Sequence, residues 1–157
     1  MDLKRGDKMY FKKILLPTDG SEFTKYSVER AIELATLSGG KITALYVLDK
    51  SVYSSSPMDT ALVNIYETLE KEGRYATGYV AEKAKAAGVD VEEKRIEGIP
   101  AKVILQEAED GAYDVIVMGT LGRTGLSKLF MGSVAEKVIK HANCPILVAK
   151  SPLTKEE

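Results

Sequence analysis

Two short stretches of this chain carry residues suited to holding a phosphate or another compact anion. The longer is GTLGRTGLSKLFMGS, residues 119 to 133. Gly119, Gly122 and Gly125 let main chain approach a ligand with no side chain in the way. Gly132 and Ser133 lead into a helical pattern, whose first amide N–H groups have no partner inside the helix and sit at the positive end of its dipole. Arg123 and Lys128 add local positive charge to a chain of formal net charge −1. Hydrogen bonds to a charged group contribute about 1.5–3 kcal/mol each, so several such amides give useful affinity before ordering costs. The shorter stretch, Thr18-Asp19-Gly20-Ser21, sets a carboxylate and two hydroxyls directly after an apolar run that ends at Pro17.

Each stretch also has a plain structural explanation. Ser133 with Glu136 reads as a capping box for the last helix, and Asp19 with Glu22 reads equally well as a cap for the first. The glycine run is not a Walker A loop, since no Gly-Lys-Ser/Thr closes it, and the G-x-G-x-x-G spacing is absent. Other chemistry is sparse. His141, the only histidine, falls in the last helical turn, where a partly cationic ring favours the dipole. Cys144, the only cysteine, precedes Pro145 and reads as a buried small apolar residue. No Ser-His-Asp set, multi-thiolate cluster or histidine pair is offered, so no dedicated catalytic apparatus is expected.

The elements that must position these residues alternate between strand and helix periods, the pattern of a parallel sheet covered on both faces. Apolar runs predict strands at Lys13–Pro17, Ile42–Leu48, Asp114–Met118 and Pro145–Ala149. The stretch Val89–Glu97 carries Asp90, Glu92, Lys94 and Glu97, as suits an edge strand that must refuse partners. Between the first two strands, Val28, Ala31, Ile32 and Ala35 share a helical face that ends at Gly39-Gly40. Residues 49 to 58 read as a loop, and a long helix follows over 59 to 87, weakened by Gly73 and Gly78. Tyr53, Tyr66, Tyr75 and Tyr79 in this region are explained by packing. Pro100 opens a third helix ending near Gly111, and a last one covers Val134–Ala142. The fold expected is one α/β domain over residues 11–150: an open five-stranded parallel sheet with helices on both faces. A polar extension, 1–10, and a tail, 151–157, flank it. In such sheets ligands bind beyond the carboxyl ends of the strands where the winding reverses. If the first and fourth strands are neighbours there, both chemistry-bearing stretches face one crevice.

Composition sets the outer limits. With 157 residues, 45% hydrophobic and 29% charged, the chain matches one globular domain with a sizeable core. The near-neutral charge recommends neither nucleic acid nor an anionic membrane as partner. The start, MDLKRGDKMYFKK, lacks the apolar run of a signal peptide, and with the single cysteine this leads to an expected cytoplasmic location.

Three segments together resemble the universal stress protein family. Gly119-x-x-Gly122, nine residues, then Gly132-Ser133 is similar to the G-2x-G-9x-G-(S/T) signature of its ATP-binding branch. KKILLPTDGSE, residues 12 to 22, resembles that family's first strand and turn, and CPILVAK, residues 144 to 150, its last strand. The likeness spans about residues 9 to 150 and departs at Thr120-Leu121, where relatives often carry Ser-His. It implies a Rossmann-like, adenine nucleotide alpha hydrolase-like sheet with strand order 3-2-1-4-5. It also implies an ATP, ADP or AMP site in which Pro17, Thr18 and Asp19 line the adenosine end and Asp19 sits near the ribose or a Mg²⁺ ion. Val47 would offer main-chain groups to adenine. Met118, Gly119, Gly122, Arg123, Gly132, Ser133 and Val134 would wrap ribose and phosphates. The function so implied is a regulatory or stress-response nucleotide switch with, at most, slow ATP hydrolysis. Two alternatives stand beside it: an interaction module keeping the fold without nucleotide, and an ATP-pyrophosphatase-like enzyme, for which Asp19-Gly20-Ser21 is a thin phosphate loop.

One further expectation concerns assembly. Ile146, Leu147 and Val148 are apolar, yet the last strand of such a sheet lies at an edge, which normally needs a cover. The same strand of a second copy would supply one and give a two-fold dimer, as the resemblance also implies; the N-terminal extension is the alternative cover.

Overall fold

Strands β1 (Lys13–Pro17), β2 (Lys41–Asp49), β3 (Val91–Gly98), β4 (Val115–Gly119) and β5 (Ile146–Ala149) form one parallel sheet in the order β3-β2-β1-β4-β5. The computed structural model describes residues 10–53, 60–120 and 131–152. The expected extension and tail therefore lie outside the described residues, apart from Tyr10, Ser151 and Pro152. The apolar runs occupy the centre because a strand covered on both faces has no solvated side on which to place polar residues. Ile14, Leu15 and Leu16 of β1 are wholly buried, as are Ile116 and Val117 of β4.

The two faces are covered by different helices. Val28, Ala31 and Ala35 of α1 (Glu22–Ser38) and Val80 and Ala84 of α2 (Thr60–Ala86) pack on Ile14, Leu16, Ile42 and Val117. On the opposite face, Ala101, Ile104 and Ala108 of α3 (Pro100–Asp110) join Ala135 and Val138 of α4 (Ser133–His141) against Leu15, Leu45, Ile116 and Met118. Alternate residues of each central strand thus feed separate cores, as the strand period requires. Ile32, expected on the buried face of α1, is only partly buried.

Both sheet edges fall where expected. β3 is an outer strand, and one of its charges is used internally: the Lys94 ammonium meets the Glu107 carboxylate of α3 at 2.6 Å, where the Tyr113 hydroxyl also donates at 3.1 Å. That hydrogen bond to Glu107 raises the Lys94 pKa. β5 is the other edge, and its Val148 is 39% exposed.

α2 runs unbroken through the two glycines that weaken its pattern. Gly73 has a packing reason, since a Cβ there would lie 2.7 Å from Cδ1 of buried Tyr46. Around Gly78 the space is open.

Several expectations need correction. Residues 50 to 52 of the expected loop form a 3-10 turn, because the Asp49 carboxylate caps it by accepting from the Ser51 amide at 2.9 Å and the Ser51 hydroxyl at 2.7 Å. Cys144 is half-buried instead of buried, packing at the margin of the α3–α4 core. Of the tyrosines, Tyr53 and Tyr66 do pack, edge to face with centroids 6.1 Å apart, but Tyr75 is 60% exposed. Among the described residues no helix is long and apolar enough to cross a membrane.

Candidate functional site

β1 and β4 are neighbours, and the sheet winds in opposite directions from them. Their pairing stops at Leu15 opposite Ile116, although β1 continues to Pro17 and β4 to Gly119. The two strand ends therefore part and open a crevice where the topology reverses. A cavity of about 380 Å³ occupies it. Pro17, Thr18 and Asp19 form its β1 rim, Met118 and Gly119 its β4 rim. Gly132, Ser133 and Val134 close it from α4, and Val47 from β2. Every described residue expected at the site lines this one cavity. Gly122 and Arg123, with Leu121, Gly125 and Lys128, lie outside the described residues.

The β1 rim is held by a small polar network. The Thr18 amide donates to the Leu45 carbonyl at 2.9 Å, and its buried hydroxyl accepts from the Gly20 amide at 3.2 Å. Asp19 Oδ1 accepts from the Ser21 amide at 2.9 Å and from the Thr24 hydroxyl at 3.2 Å. The same hydroxyl lies 3.3 Å from that of Thr18, so Thr24 ties both rim residues to the first turn of α1. The expected Asp19–Glu22 cap is not formed. Ser21 occupies the N-cap position without a side-chain capping bond, and Glu22 pairs instead with Lys25 at 2.6 Å. Asp19, two residues before that cap, lines the cavity wall.

β2 outruns its neighbour. The register pairs Pro17, the last residue of β1, with Leu45. The Leu45 carbonyl faces the β1 side, and the alternation of the strand returns main-chain groups to that side at Val47. β1 has ended by then, so the Val47 N–H and C=O face the cavity.

At α4, Gly132 is the N-cap, with φ −60° and ψ 152°. Its amide donates to the Thr120 carbonyl at 2.7 Å, and its carbonyl accepts the first helical bond from Glu136 at 3.0 Å. Helix geometry leaves the amides of Ser133, Val134 and Ala135 without intrahelical acceptors, and all three residues line the cavity. The expected Ser133–Glu136 capping box is absent. Ser133 stands one position too late to cap, and the Glu136 carboxylate turns to Lys140 at 2.8 Å, an interaction that holds its pKa below the ordinary value. Among the described residues, neither Ser133 nor Glu136 therefore caps the first turn. His141 closes α4 on the surface and takes no part in the cavity.

Sequence reasoning missed Thr24, Asp49, Val52, Pro100 and Ile104, which also line the cavity. Asp49 sits at the carboxyl end of β2, where the rule that led to Asp19 also points. Pro100 and Ile104 arrive from α3 through packing alone, with no local signal. Among the described residues no group of three or more His, Cys, Asp or Glu is placed to hold a metal.

Comparisons with known proteins agree with this fold. The universal stress protein family model matches residues 10–150. Universal stress protein MJ0531 of Methanocaldococcus jannaschii is 41% identical over 150 residues, covering 96% of this chain and 88% of that protein. The solved structure of MJ0577, from the same archaeon, aligns with a TM-score of 0.84 at 30% identity, covering 92% of this chain and 99% of that one. A universal stress protein solved in complex with cAMP shares the fold at 22% identity and a TM-score of 0.65, over 90% of this chain and 98% of that one. The chain belongs to the universal stress protein family.

Proposed function

We propose that the crevice between β1 and β4 binds ATP, or ADP or AMP in its place, and that the protein acts as a cytoplasmic nucleotide switch in regulation or stress response. The observation that carries this reading is convergence. Thr18-Asp19 and Gly132–Val134, far apart in sequence, line one cavity together with Val47. Its chemistry is divided as a nucleotide requires. Main-chain donor and acceptor groups of Val47 suit a base edge, Asp19 suits ribose hydroxyls, and the first amides of α4 suit phosphate oxygens. That a protein of the same fold was solved with cAMP is in keeping with an adenine ligand.

Asp19 also fits a Mg²⁺ ion, which is usually held by one or two carboxylates together with phosphate oxygens. Bound in that way, the ion would offset phosphate charge and assist slow hydrolysis. The residues themselves supply binding and orientation, so nucleotide occupancy is the main output. The exposed edge of β5, with Val148 outward, is proposed to pair with β5 of a second copy in a two-fold dimer. Val148→Lys should shift sedimentation to the monomer; an unchanged profile rejects that interface.

Equilibrium dialysis of ATP against the wild type and Gly132→Val tests the site. The wild type should bind and the variant, with a branched side chain at the α4 entrance, should not. Equal binding by both would remove the crevice from consideration.

A further inference from the structure

The cavity has an apolar end that the nucleotide signature does not account for. The lining contributed by β2, the turn after it, α2 and α3 includes Val47, Val52, Leu69, Pro100 and Ile104, with Asp49 as its one carboxylate, whereas Thr18, Asp19 and Ser133 are polar lining from the β1 rim and α4. Val52 is the unusual member. It lines the cavity yet remains 51% exposed, and it belongs to a turn that is braced at both ends. At the start, Asp49 caps the turn through the Ser51 amide and hydroxyl. Lys50 is tied to Glu97 at the end of β3 at 3.3 Å, and the Tyr53 amide closes the turn on the Lys50 carbonyl at 3.2 Å. The Tyr53 ring then packs edge to face on Tyr66 of α2.

A valine held in water by so much local structure gains free energy only when something apolar covers it. A flat uncharged ring entering the apolar end would do so, with Pro100 and Ile104 also lining that end. We propose that Val52 is a specificity-determining contact for the heterocyclic base, and that Asp49 is the positioning residue that holds it there. The inference deepens the nucleotide reading above and rests on it. It assigns selection of the base to the turn after β2, leaving selection of the anion to α4.

Calorimetric titration with adenosine, ATP and inorganic tripolyphosphate separates these roles. Val52→Asn, uncharged and close in size, should weaken adenosine and ATP by about tenfold each while tripolyphosphate binds as in the wild type. Because Val52 is half exposed, the melting temperature should not fall. Asp49→Ala should show the same pattern more weakly. Asp49→Asn, equally uncharged but still able to cap the turn, should restore wild-type affinity for adenosine.

Adenosine and ATP affinities within about twofold of wild type in Val52→Asn would overturn the assignment. So would an equal loss for tripolyphosphate, which would mean collapse of the whole site. A wild-type protein that binds tripolyphosphate but no adenine compound would defeat the adenine reading itself and this inference with it.

Discussion

The amide of Gly132 donates to the carbonyl of Thr120 at 2.7 Å, and this bond draws the start of α4 against the end of β4. It also takes the Gly132 amide out of the set available to a ligand, leaving those of Ser133, Val134 and Ala135. The Gly132 backbone, φ −60° and ψ 152°, is one that any residue adopts. The conformation here therefore does not call for glycine, and on the nucleotide reading its use is to keep the approach to the helix clear for a ligand. Gly132→Ala should fold, losing about 1 kcal/mol at the N-cap, while ATP affinity falls by about tenfold. Thermal melts and calorimetry on the same sample measure both quantities. Undiminished affinity would show that no ligand group approaches this position.

Thr24 connects the β1 rim to α1 through its contacts with Thr18 and Asp19. Thr24→Val keeps the shape and removes the hydroxyl. Urea unfolding should register a loss of about 1–2 kcal/mol, and ATP should bind more weakly because Asp19 loses one of the hydrogen bonds that orient it. Thr24→Ser should recover most of both. A serine variant as impaired as the valine one would mean that the hydroxyl alone does not hold the rim and that the methyl group is needed with it.

The two glycines of α2 should respond in opposite directions. Gly73→Ala forces a Cβ to within 2.7 Å of the Tyr46 ring, which is 3% exposed and cannot retreat into solvent. A loss of about 1–3 kcal/mol is expected despite the better helix former. Gly78→Ala meets nothing within 4 Å and should stabilise by about 0.5–1 kcal/mol. Parallel denaturation curves decide the matter, and two changes of the same sign would contradict the packing described.

Burial pushes the Cys144 thiol above its ordinary value. Less thiolate is then present at neutral pH, so alkylation by iodoacetamide at pH 8 should be slower than that of free cysteine and should keep rising above pH 9. A rate that levels off below pH 8 would show an activated thiol instead.

The strands were readable because the middle of the sheet is buried on both faces. Leu15 and Leu16 point into different cores, so both must be apolar and the run stands out. β3 was readable for the opposite reason, since an edge tolerates Glu92 and Glu93. The crevice followed from a rule about strand ends and winding. Local rules failed where two patterns look alike over four residues. Ser133 and Glu136 have capping-box spacing, but the helix begins one residue earlier than that reading needs, and Lys140 one turn on claims the glutamate. Val52 and Ile104 could not be anticipated, because nothing near them in sequence records which cavity the completed fold brings them to.

On the nucleotide reading, ATP enters the β1–β4 crevice with its phosphates on the first turn of α4. Amide chemical shifts followed during an ATP titration test this most directly. Saturable shifts are expected at Thr18, Val47, Gly119, Ser133 and Val134, with little change at the far sheet ends, Lys13 and Lys41. Saturation with no movement at Ser133 and Val134, or with the changes centred elsewhere, would contradict it.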